Sequence, residues 1–426
     1  MMNLLERVNQ EPYKTMYGRV VRLLRNRQKL TLRTLSDQVD FSHAFLRKVE
    51  MGHTAISAEV FNKINSVLEI DFVYDYQKEI DFFENFKEYH NAQLYLDILT
   101  KREIYERIIN NAAFHSNSLW MVEYLMVEMG ETVSAPSKDT PLLHQLYNDL
   151  TSVESLFDDS MRQLYLIYKG SYYYRINDFK RNRHTFIQAY DIAPNGRYAS
   201  LSLYFLGLAY ANTFNLNRST RLLSEAKHLF SQQNNEMRVF VCDMYITFNE
   251  ILRNHLEGAE TKLLDGIDIA KQSALDIFIS SIKLFLIIYY IKKDQLDKAK
   301  DVFANMQKPR LNLCFFDIYV HYKLNDTKQV MAINESVKPL MKRVMQHEFV
   351  HYYGIQAIIA NTQNWPQNDK QKVLENFYKE AKRQKEYMQL DIAYQLYVEF
   401  LKQERKYKAA FDLTKDMVDI TKGALD

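Results

Sequence analysis

A chain of 426 residues is too long for one ordinary domain, and its 47% hydrophobic content supplies ample material for buried cores. It holds only 10 Gly and 7 Pro, where average usage gives roughly 30 and 20; this argues against strand-rich folds and for long helices with short connections. Net charge is only +2, yet residues 1–66 carry eleven Lys and Arg against six Asp and Glu, so any affinity for phosphate belongs at the N-terminus.

Residues 1–16 read as a short arm, with Pro12 interrupting any helix there. From Tyr17 a helix places Val20, Val21, Leu23 and Leu24 on an apolar stripe and Arg19, Arg22, Arg25 and Arg27 opposite. Residues 31–52 then show the spacing of a helix-turn-helix. Thr31 is a good N-cap, and Leu35 and Val39 share one face of a short helix that Asp40 and Phe41 break. Ser42 caps a second helix, in which Leu46 and Val49 face inward and His43, Ala44, Arg47 and Lys48 point away from the core. Gly52 ends it. This is the geometry that places a recognition helix in a major groove. His43, Ala44 and Arg47 are expected to face bases, and Arg19, Arg33, Ser42 and Lys48 complete the candidate DNA contacts. A further helix capped by Ser57 packs Val60, Phe61, Ile64 and Leu68 inward, which closes a domain at residues 17–70.

The order KLTLRTLSDQV, FSHAFLRKVEMG, ISAEVFNKINSVLEI resembles the Xre/Cro-type helix-turn-helix of phage repressors, and more closely that of the Rgg, PlcR, PrgX and NprR regulators. The resemblance implies a tetratricopeptide-like helical array that binds a short signalling peptide. Two positions depart from the pattern: Leu32 stands where a phosphate-touching Gln is usual, and Asp40 replaces a common turn Gly.

Residues 71–160 are helical and aromatic-rich, interrupted by a Pro/Ser loop at 134–141, and read as a connector with early hairpins. From about Arg162 a repeat emerges. Phe179, Leu216, Leu256 and Leu296 are 37, 40 and 40 residues apart, with small residues such as Gly170, Gly207, Ala226 and Ala299 at tetratricopeptide positions. Residues 161–426 are accordingly expected to form the sensor and dimerisation region, with a degenerate register between 310 and 400. The fold class is all-α, a helix-turn-helix bundle followed by a tetratricopeptide-like α-solenoid. The first helix of each repeat would line the concave face, where Tyr174, Arg175, Tyr204, Asn212, Phe248 and Lys292 are the candidate peptide contacts. Buried peptide amides need polar partners, which Asn212 supplies, and a terminal carboxylate would suit Arg175 or Lys292.

Other chemistry has thinner support. His347, Glu348 and His351 spell H-E-x-x-H, the zinc-peptidase helix signature, but Ala357 stands where one class has its third His; the plainer alternative is two histidines on a repeat helix, one packed and one exposed. A third possibility is an array that binds a partner protein. No P-loop, dinucleotide glycine pattern or nucleophile elbow occurs, so no enzyme and no cofactor is expected. Cys242 and Cys314 read as buried thiols. The longest apolar run, 284–291, is far short of the roughly 20 residues of a membrane span, and residues 1–14 lack a signal-peptide core. The expectation is a soluble, cytoplasmic homodimer acting on a double-stranded DNA operator and a signalling peptide, without a membrane partner.

Overall fold

The computed structural model describes residues 4–135, 140–176, 178–273, 275–306, 311–342 and 348–425. Among these the only regular structure is helical, as the shortage of glycine and proline dictates. The contacts divide the chain into two compact units, Met1–Ser202 and Leu203–Asp426.

Unit 1 begins with α1 (Leu4–Val8), α2 (Tyr13–Arg27), α3 (Leu32–Val39), α4 (His43–Glu50) and α5 (Ala58–Val67). Side-chain caps set the starts of α3, α4 and α5: Thr31, Ser42 and Ser57 accept from the backbone N–H of Thr34, Phe45 and Val60. Pro12 does not end a helix; it occupies the N-cap of α2, where its missing N–H costs nothing. Within the N-terminal arm, α1 packs Leu4, Leu5 and Val8 on the core below.

Next come α6 (Tyr76–Tyr95), α7 (Ile98–Ile109), α8 (Ala112–His115), α9 (Met121–Ser134), α10 (Thr140–Val153), α11 (Asp159–Arg175) and α12 (Phe179–Ile192). One core runs from the head into these helices: Tyr17, Leu35, Leu46 and Ile64 belong to the same buried cluster as Phe82, Tyr89, Ile104, Trp120 and Val127. The helix-turn-helix is therefore not a bead on a linker.

Unit 2 contains most of α13 (Ala199–Ala211), then α14 (Leu216–Gln232), α15 (Glu236–Leu252), α16 (Ala259–Gln272), α17 (Asp276–Lys292), α18 (Leu296–Ala304), α19 (Leu311–Lys323), α20 (Thr327–Met341), α21 (Phe349–Thr362), α22 (Gln367–Gln384), α23 (Tyr387–Gln403) and α24 (Tyr407–Leu425). The helices pair with their sequence neighbours, and α24 returns to touch α14. Small residues let the paired helices approach: a methyl on Gly207 would lie 2.8 Å from Leu223, and one on Gly354 would lie 2.5 Å from the Phe315 ring. The region of degenerate register, 310–400, thus follows the same packing rule with different residues. Cys242 and Cys314 are both buried, and burial pushes the Cys242 thiol up to about 12, out of the reactive range. Among the described residues no helix is long and apolar enough to cross a membrane.

Candidate nucleic-acid interface and peptide face

The reading surface is built from α2 upward. Gly18 lets α2 cross the end of α4, since a methyl there would collide with the Glu50 carbonyl and come within 2.6 Å of that of Val49. Arg25 of α2 then grips the Glu50 carboxylate in a buried two-pronged pair, at 2.5 and 3.2 Å. With Leu46 and Val49 buried beneath it, α4 is held by its inner face. His43, Ala44, Arg47 and Lys48 are all exposed on the outer one, as is Arg33 on the first turn of α3. Ser42 is exposed as well, but its hydroxyl also caps α4 at 3.2 Å. The turn between the helices is closed by Asp40 in the left-handed region, φ 58°, where its backbone N–H reaches Ser36. Leu32 is half-buried against the head's core, and its side chain has no donor with which to touch phosphate. Lys29 and His53, which the sequence reading did not single out, are exposed just before α3 and just after α4; their proximity to two helix ends in sequence was the available signal.

Arg19 does not belong to this surface. It is buried, its guanidinium bonding Glu123 of α9 at 2.9 Å and the Leu156 carbonyl at 3.1 Å, so the expected phosphate contact is corrected to an internal ion pair. Its neighbours on the arginine stripe are engaged too: Arg22 donates to Ser155 at 3.1 Å and Arg27 to Asp149 at 2.8 Å. In the arm, Arg7 pairs with the buried Glu79 at 2.5 Å and lies over the rings of Tyr13, Tyr74 and Tyr76. Burial raises Glu79 to about 7 and Glu123 above the usual carboxylate range, against the pull of Arg7 and Arg19.

The candidate peptide contacts separate into three groups. Tyr174 and Asn212 are exposed. Arg175, Phe248 and Lys292 are half-buried: Arg175 donates to the Ala135 carbonyl, Phe248 stacks on Phe285 with centroids 4.0 Å apart, and Lys292 donates to Asn254 at 2.8 Å. Tyr204 is corrected. It is buried, ringed by Phe205, Phe230 and Tyr245 with Arg238 5.4 Å above it, and so packs helices rather than facing an open side. Within unit 2, Lys292 falls in the field of Asp391 on α23, a residue missed because its repeat is degenerate in sequence; burial lowers the Lys292 pKa while Asp391 pulls it back up.

Of the H-E-x-x-H residues, His347 lies outside the described residues. Glu348 is at the N-cap of α21 without capping it, and His351 shares a hydrogen bond with Gln389 at 3.0 Å. Gly354, three residues after His351, packs against Phe315, and the carboxylates of Glu375 and Glu380 on α22 are paired with Lys379 and Arg383.

Residues 21–74 match the helix-turn-helix family model. No curated protein matches the sequence. Among solved structures, the chain is similar to a Rap protein complexed with competence and sporulation factor, with a TM-score of 0.63 at 14% identity over 82% of this chain and 99% of that one. It is also similar to the apo form of the quorum sensor NprR from B. thuringiensis, with 0.56 at 15% over 80% and 99%. A third is the Rap conjugation gene regulator of the plasmid pLS20 in complex with the Phr* peptide, with 0.52 at 13% over 80% and 97%. The chain thus joins a helix-turn-helix domain to the helical-repeat fold of these structures.

Proposed function

We propose that this chain is a transcription regulator that binds a double-stranded DNA operator as a homodimer and switches on binding a short signalling peptide. The observation that carries the reading is the outer face of α4, where His43, Ala44, Arg47 and Lys48 stand exposed on a helix fixed from behind by Arg25 and Glu50. A single such helix buries too little DNA for high selectivity, and two half-sites about one helical turn apart double the contacts. His43, Ala44 and Arg47 read base edges, and Arg33 and Lys48 hold phosphates, with Ser42 at the mouth of the groove. Peptide recognition rests on Asn212, Phe248 and Lys292 in unit 2, with Tyr174 and Arg175 as the candidates of unit 1; the similar structures of NprR with its cognate peptide NprX and of the pLS20 regulator with the Phr* peptide support this half of the reading. Peptide shifts the dimer between DNA-competent and incompetent populations.

The test is selection of bound sequences from a pool of genomic DNA fragments by the wild type and by Arg47→Ala. Loss of one base-reading Arg is expected to cost about 1–3 kcal/mol of discrimination at the contacted position, with unchanged unfolding behaviour. Undiminished discrimination by the variant would remove Arg47, and with it this orientation of α4, from the reading.

A further inference from the structure

Helix α24 packs one side on its neighbours and leaves an apolar stripe exposed on another. Its inner side is fastened to its neighbours: Ala410 is buried, Thr414 meets Tyr394 at 3.1 Å, and Asp416 takes Lys382 at 2.7 Å and Tyr378 at 2.9 Å. On the outer side Tyr407 and Phe411 are 65% and 69% exposed, more than any other large apolar residue among the described residues, and Val418 continues the stripe at 43%. The spacings of four and seven put the three on one helix face. Beside them runs a second row, Lys408, Asp412, Lys415 and Asp419, all exposed and alternating in sign. None of these four takes part in an ion pair among the described residues.

The charge row decides what covers the apolar one. With two positive and two negative members it has no net charge, so it offers nothing to nucleic acid or to an anionic lipid surface. Its order is self-complementary instead. When two identical helices pair antiparallel about a two-fold axis, the same flank of each meets the other, so a flank must match its own reverse. Here it does. We propose that α24 is the surface on which two copies of this chain pair, antiparallel, with the two-fold axis crossing between Leu413 and Thr414; this rests on the reading of the protein as a homodimer. Lys408 then comes level with Asp419 of the second copy and Asp412 with Lys415, while like charges are displaced along the axis. Phe411 then packs beside Val418 of the second copy, so that the two apolar stripes cover each other. A contact of roughly three helical turns buries less than the ~800 Å² per partner of stable complexes, so the pairing is reversible and depends on concentration.

Sedimentation velocity of the full chain over a concentration series tests this. The wild type should pass from monomer to dimer. Phe411→Glu should weaken association by about tenfold or more, as expected for loss of a central aromatic anchor, while leaving thermal unfolding unchanged because the residue is exposed. Lys408→Asp should weaken it as well, and Lys408→Asp combined with Asp419→Lys should restore it, since the exchange regenerates complementary pairs. A dimer indifferent to Phe411→Glu overturns the assignment to α24 and leaves the dimer reading standing. A wild type that stays monomeric throughout overturns both. Failure of the double exchange to restore pairing overturns the antiparallel register.

Discussion

The arginines of the head show how far a side chain's role depends on residues distant in sequence. From the sequence, Arg19, Arg22, Arg25 and Arg27 read as a solvated basic face of α2, opposite its apolar stripe. The carboxylates that claim two of them, Glu123 and Asp149, lie more than a hundred residues further on, and no local pattern announces them. Arg33, Arg47 and Lys48 were legible because the helix-turn-helix spacing fixes their outward direction locally. The two sets should respond differently to mutation. Arg19→Ala leaves a buried carboxylate without its cation and is expected to cost about 3–5 kcal/mol of stability in urea unfolding. Arg19→Met paired with Glu123→Leu should recover most of that loss. If Arg19→Ala unfolds like the wild type and instead loses DNA affinity, the guanidinium serves phosphate after all.

At the scale of elements, the caps were the most legible feature. Thr31, Ser42 and Ser57 start helices where their side chains permit, because an N-cap hydrogen bond depends on three consecutive residues and little else. The turn residue Asp40 could be recognised as standing in for glycine, and it does adopt the left-handed backbone. What the sequence concealed was how α2 meets α4, since a crossing is set by residues that no periodicity marks. Gly18 is the key one. Its replacement by Ala pushes a methyl against two backbone carbonyls, which cannot swing aside as a flexible side chain would. The expected cost is about 1–3 kcal/mol, together with weaker operator binding because α4 is levered off its bed. Urea denaturation and DNA-binding anisotropy check the two effects, and an Ala variant with native stability would show that the crossing can open freely. The same limit explains Tyr204. The sequence places it on a helix, but which of that helix's sides stays open depends on Phe230 and Tyr245 from the following helices.

For the molecule as a whole, the all-helical class and the repeat were readable from composition and from the 37-to-40-residue spacing. The early hairpins and the 310–400 region were not, because packing glycines against bulky aromatics, such as Gly130 on Tyr168 and Gly354 on Phe315, replace the usual signature there. Unit 1 also carries an acid sensitivity that only packing reveals. His90 is fully enclosed, its Nδ1 against the Phe86 carbonyl at 2.8 Å, and burial lowers its pKa to about 3. The unfolded chain takes up that proton near pH 6.5 and the folded chain does not, so the stability contributed by neutral His90 is intact above pH 6.5 and is lost as pH falls toward 3. Relative to His90→Leu, which cannot titrate, the wild type should lose about 2 kcal/mol between pH 7 and pH 5. Urea unfolding at the two pH values measures this difference; a gap that does not change with pH would mean that the imidazole is charged or reaches water.

The continuous core beneath the head bears on how such a protein can change over generations. A DNA-reading head that stood alone could be exchanged wholesale between regulators, acquiring a new operator in one recombination. Here Tyr17, Leu35 and Ile64 share their burial with Phe82, Tyr89 and Trp120, so a crossover near residue 70 would cut through a packed interior and join surfaces that had never been fitted together. Inheritance of the head is thereby tied to that of the connector helices, and new operators are more readily reached by substitution on the outer face of α4.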